Sequence, residues 1–213
     1  MLDAETFKSE QTSWFANRDG YGSVGFNTES GPMICGGRFS DEGICSKSCY
    51  LYSAQTKSWT PSVSLTTARF GASVIRINAN EVLIMGGYDK NYKDLDTMEI
   101  VSTSGSRPAA ATLPFRLRAG CVTKLNDTTG IIMGGFQDGS QSDATHYINL
   151  NTLETTSGPR LNLRRVDFGC ATTPQNKVIV TGGKNSNYAT DVTEIMDPSK
   201  PKHFFSWSIG KKL

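Results

Sequence analysis

The residues most able to do chemistry are few. Only two histidines, His146 and His203, stand in the sequence, and both read as solvated outer-strand or loop positions. A Ser-His-Asp or Cys-His hydrolase needs a base beside its nucleophile, and nothing in the spacing supplies that pairing. Cys45 and Cys49 make a Cys-x3-Cys without a second pair or a nearby histidine, too little for zinc. Glu5, Glu99 and Glu194 recur at similar places, but far apart in the chain, as sheet-edge positions rather than a paired-carboxylate site. Arginine recurs more suggestively: Arg18, Arg69, Arg118 and Arg165 each stand just ahead of a segment of small residues. A planar guanidinium suits carboxylates. Four glycine doublets, Gly36-Gly37, Gly86-Gly87, Gly134-Gly135 and Gly182-Gly183, lack the continuations of a phosphate-cradling loop. No catalytic residue, metal or cofactor is expected.

The elements that position these residues repeat. The doublets are spaced by 50, 48 and 48 residues, and each closes an apolar run such as Val82-Leu83-Ile84-Met85. A small-residue marker upstream (Gly22, Gly71, Gly120, Gly169) keeps a spacing of 49, and Tyr52, Val101, Leu150 and Met196 follow each doublet. Runs this short read as strands buried on both faces. The marker segment reads as a strand packed near an axis, and the doublet gives the chain freedom for a sharp exit. Repeats of this length, each one four-stranded sheet, stack face to face as propeller blades. The 22 basic and 20 acidic residues among 213 leave a formal charge of +2, which argues against an electrostatic nucleic-acid binder. No apolar stretch approaches the length of a membrane span, and Met1–Glu5 lacks the layout of a signal peptide.

The apolar run closed by Gly-Gly, with Tyr52 and Trp59 seven residues apart further on, resembles the kelch repeat over essentially the whole chain. The resemblance implies an all-β, kelch-type β-propeller over residues 1–213, with repeats at about 18–68, 69–115, 116–164 and 165–213. Phe7 and Trp14 repeat the seven-residue aromatic spacing, so residues 1–17 read as an N-terminal half-blade. Kelch propellers usually have six or seven blades, so a part of a larger propeller is expected in preference to a closed four-bladed ring. Only the first repeat keeps the Tyr–Trp pair.

Cys35 ends one strand and Cys49 begins the strand beside it, which makes a Cys35–Cys49 bridge reasonable, with Cys45–Cys49 as the alternative. Cys121 and Cys170 are expected at one shared position in neighbouring blades, as two small buried hydrophobes. The layout also resembles kelch-containing proteins of animal extracellular spaces, so an extracellular place is favoured over a cytoplasmic one. A sequon, Asn126-Asp127-Thr128, falls in a hairpin between first and second strands.

Propeller geometry puts the repeated arginines at one mouth, joined there by Arg116, Arg160 and Arg164. There they either tie blades together or form a cationic rim for acidic peptide or glycan groups, and some kelch propellers bind acidic peptides near such positions. The rim reading assigns partner binding to Arg69, Arg118 and Arg165, with Tyr88, Tyr92, Phe136 and Tyr188 from the loops after the doublets. The expected function is a non-catalytic scaffold that binds a protein or glycan partner. The alternatives are the propeller portion of a copper-radical oxidase, whose Tyr–Cys site is not assembled here, and a substrate-adaptor propeller separated from its dimerisation domain.

Overall fold

Each apolar run ahead of a doublet becomes the second strand of a four-stranded antiparallel sheet. The computed structural model describes residues 20–39, 45–186, 188–198 and 207–209. The first sheet comprises Val24–Thr28, Gly31–Cys35, Ser48–Ser53 and Ser58–Ser64. The second comprises Ser73–Arg76, Val82–Met85, Thr97–Ser102 and Gly105–Thr112. Cys121–Asn126, Thr129–Met133, Thr145–Asn149 and Thr155–Ser157 form the third, and Gly169–Thr172, Val178–Thr181, Thr193–Met196 and Ser208–Ile209 the fourth. Strand order follows chain order in every sheet, so each is a meander closed by local turns. No helix occurs among the described residues. The half-unit at 1–17 with Phe7 and Trp14, together with Arg18 and His203, lies outside the described residues.

The sheets pack face to face in sequence, and this explains the apolar runs. All of Val82–Met85 is buried because alternate side chains enter different cores. Val82 and Ile84 pack with Met33, Cys35 and Leu65 of the first unit, while Leu83 and Met85 pack with Ile132 and Ile148 of the third. Ile131 and Met133 in turn meet Val178, Val180 and Met196 of the fourth. Tyr52 and Trp59 face each other across two neighbouring strands, with ring centroids 5.3 Å apart.

Backbone bonds stitch the sheets at one end of their first strands. Gly71 donates its N–H to the Gly22 carbonyl, Ala119 to Gly71, and Asp167 to Ala119, at 2.7, 2.9 and 3.1 Å. All four residues sit at positive φ, from 52° to 69°. The equivalent positions are thus Gly22, Gly71, Ala119 and Asp167; Gly120 and Gly169 lie one and two residues further on. A second stitch uses the doublets. Gly37, Gly87 and Gly135 donate to the carbonyls of Arg69, Leu117 and Arg165 in the following unit. A Cβ on Gly86 would fall on the Leu117 carbonyl oxygen, so the close approach itself requires glycine.

Candidate functional site

That second stitch defines which residues are equivalent: Arg69, Leu117 and Arg165. The recurring arginine therefore skips the third sheet. Arg69 and Arg165 are 2% and 0% exposed, and their side chains turn inward. Arg69 donates through Nε to Glu99 Oε1 at 2.9 Å and through NH1 to the Gly86 carbonyl at 2.7 Å. The other Glu99 oxygen receives the backbone N–H and hydroxyl of Thr66. Arg165 repeats the arrangement, with NH2 2.7 Å from Glu194 Oε1, NH1 on the Gly182 carbonyl, and Asn162 donating to Glu194 Oε2. Both glutamates are wholly buried on third strands, not at a sheet edge. Burial lowers the Arg69 pKa, while Glu99 opposes the shift. These guanidinium groups bond within their own units, Arg69 to Gly86, Thr97 and Glu99 and Arg165 to Gly182, Val192 and Glu194, while their backbone carbonyls take the bond from the unit before; neither side chain faces solvent as a rim residue would.

The third sheet replaces all three members of the tie. Pro114, Leu117 and His146 stand where Thr66, Arg69 and Glu99 stand in the second, since Ile132 pairs with His146 as Ile84 pairs with Glu99. Pro114 has no N–H to satisfy, Leu117 has no charge, and His146 stacks on Phe115 at 4.1 Å with Nε2 3.2 Å from Gln137 Oε1. Burial holds the His146 pKa below 6.5, with the Arg160 charge adding to the effect. His146 is thus a half-buried third-strand residue rather than a solvated one.

Arg118, one residue on from the tie position, belongs to a different series that reaches the surface. Small ladders at the doublet end pair Tyr21 with Arg38, Phe70 with Tyr88, Arg118 with Phe136, and Val166 with Lys184. Three of these pairs supply a continuous cluster of rings and cations. Arg118 lies over Phe136 at 3.4 Å and over Tyr88 at 4.3 Å; Arg38 lies over Tyr92 at 4.6 Å and over Phe70 at 5.8 Å. Phe70 touches Tyr21, Tyr88 and Tyr92, at centroid separations of 5.9, 5.2 and 6.3 Å. Tyr21 and Tyr92 stand about half exposed, at 51% and 53%. Asp94 completes the group, its Oδ1 forming an ion pair 2.8 Å from Arg118 Nε, with both atoms shut off from solvent. Burial raises the Asp94 pKa, and the Arg118 charge opposes it.

Of the residues expected from sequence to meet a partner, the structure gathers Arg118, Tyr88, Tyr92 and Phe136. Tyr188 stands apart at 79% exposure with no ring contact among the described residues. Arg38, Phe70, Tyr21 and Asp94 are the members that sequence reasoning missed, although Tyr21 and Phe70 immediately precede the repeat glycines Gly22 and Gly71. Arg116, Arg160 and Arg164 remain exposed, Arg160 paired with Asp143. No group of three His, Cys, Asp or Glu side chains is disposed to hold a metal among the described residues.

The cysteines form two bridges. Cys35 and Cys49 are paired across neighbouring strands with Cα atoms 4.1 Å apart, which leaves Cys45 as a buried free thiol. Cys121 and Cys170 are also joined, with Cα atoms 6.0 Å apart, and are not the two buried thiols expected from their spacing. Their register explains the difference. Cys121 pairs with Met133, on the face turned to the fourth sheet, whereas Cys170 pairs with Val180, on the face turned to the third. Truly equivalent positions would point the same way and could not meet.

No family model matches the sequence, and no curated protein matches it either. Among the solved structures that match is that of YjhT, 12% identical, with a TM-score of 0.79 over 99% of this chain and 76% of its own. At that identity the likeness speaks for the fold alone. The chain has an all-β fold of several antiparallel sheets, and YjhT is a β-propeller-like neighbour.

Proposed function

We propose that the chain is a non-catalytic kelch-type propeller module of four blades that binds a protein or glycan partner through its doublet end. The sheet-by-sheet packing, the glycine doublets at each exit and the Tyr52–Trp59 pair support the kelch reading. The observation that carries the binding reading is the ring-and-cation cluster of Arg38, Phe70, Tyr88, Tyr92 and Arg118. It draws on three successive units, yet its centre is held by contacts within the chain. Rigid aromatic rings lose little entropy on binding, and arginine adds directed donors; both residue types dominate binding energetics at interfaces.

Tyr92 is the test residue, because it is exposed and outside the core. Screening the folded chain against arrays of acidic peptides and of glycans should yield a ligand class. The Tyr92→Ala variant should then lose about tenfold or more in affinity, roughly 1.4 kcal/mol, with an unchanged melting temperature. Equal affinity of the variant and the parent would sink this surface as the binding site.

A further inference from the structure

We propose that Asn126 is an N-glycosylation site, carrying an oligosaccharide at the hairpin end of the third sheet. The sequon Asn126-Asp127-Thr128 has its hydroxyl residue two places on and no proline between. The fold sets it at the tip of a tight hairpin: Asn126 pairs with Thr129, Asp127 and Thr128 make the turn, and all three sequon residues are exposed. Hydrogen bonds fix which way the carboxamide lies. One of its atoms accepts the Thr128 N–H at 3.0 Å and the Thr128 hydroxyl at 3.1 Å, and an atom that accepts a backbone N–H must be the oxygen. The nitrogen Nδ2 is left without a hydrogen bond among the described residues, and Nδ2 is the atom that receives a glycan.

The cysteines point to the compartment in which such glycans are added. Two disulfides, one of them joining separate sheets, belong to an oxidising environment. The odd thiol, Cys45, is buried, and burial, reinforced by Asp89, pushes its pKa up to about 11. Thiolate attack on either bridge is thereby suppressed, as a chain maturing under oxidising conditions requires.

In the transfer, Nδ2 bonds to the anomeric carbon of an oligosaccharide carried on a polyprenyl diphosphate. The bond from that carbon to the diphosphate oxygen breaks, the diphosphate leaves with the electron pair, and Nδ2 gives up one proton. The hairpin joins a first strand to a second, whereas the doublet loops follow the opposite end of the second strand. The glycan therefore projects from the end away from the ring-and-cation cluster.

The test is to direct the full chain through the secretory route of a eukaryotic cell and digest the product with peptide-N-glycosidase in 18O-labelled water. A single mobility shift and 18O-labelled aspartate at position 126 are expected. Both should vanish in Asn126→Gln and in Thr128→Ala, and persist in Thr128→Ser. Secreted, disulfide-bonded protein with unmodified Asn126, or a shift that survives Asn126→Gln, would overturn the assignment.

Discussion

At the scale of single residues, the buried arginine–glutamate ties are where charge matters most to the fold. Removing one partner of a buried pair leaves the other uncompensated, at a cost of about 3–5 kcal/mol. Arg69→Leu or Glu99→Gln alone should therefore lower stability by that order in urea unfolding. The third sheet already shows a charge-free alternative in Leu117 and His146, so Arg69→Leu combined with Glu99→His should cost clearly less than the sum of the single changes. Strict additivity would mean that the pair is not coupled. His146 gives a pH signature of its own. Its folded pKa lies below 6.5, so the unfolded chain takes up the proton first as the pH falls through that value. Stability should decline from about pH 7 toward pH 5.5, and the His146→Gln variant should lose that part of the slope when unfolding midpoints are compared at the two pH values.

At the scale of elements, one-residue slips between repeats decide what meets what. The strand count, the second strands and the doublets were legible because long-range packing demands apolar runs and left-handed exits at a fixed period. The slips were not. Arg118 keeps a spacing of 49 from Arg69, yet it follows Phe70 in register, since the unit between them is 48 residues long by its backbone contacts. Cys121 and Cys170 are likewise 49 apart in a unit of 48, and that single extra step turns one thiol to face the other. Periodicity reveals a repeat, but only cross-strand pairing reveals its register, and side-chain direction reverses with each residue. The ring-and-cation cluster was half visible for the same reason: its loop aromatics stand out by type, whereas Arg38 and Phe70 join them only through the small ladders. The inter-sheet bridge carries a definite stability cost. Replacing Cys121 and Cys170 by serine should lower stability by about 2–4 kcal/mol. Thiol titration of the parent in denaturant under non-reducing conditions should find one free group, Cys45, against none accessible in the native state; five free groups would disprove both bridges.

At the scale of the whole molecule, stability is a sum over interfaces between thin sheets, none of which holds a complete core by itself. The doublets report on each interface separately. Gly86→Ala would set a methyl on the Leu117 carbonyl oxygen and should unfold the chain or lower its melting temperature steeply. Gly182→Ala meets nothing nearer than the Thr190 oxygen at 4.0 Å among the described residues, and faces only the strain of its φ of +68°, about 1–2 kcal/mol. A similar loss in both variants would show that conformation rather than docking selects these glycines. The stitch from Gly22 through Gly71 and Ala119 to Asp167 carries a further consequence. Each of its inner links takes an N–H from the unit ahead and hands its own to the unit behind, in the same left-handed posture. A unit copied in tandem would arrive with both hands already shaped for its neighbours. Growth of the array by duplication then needs no new seam, and point changes can afterwards give each copy its own surface.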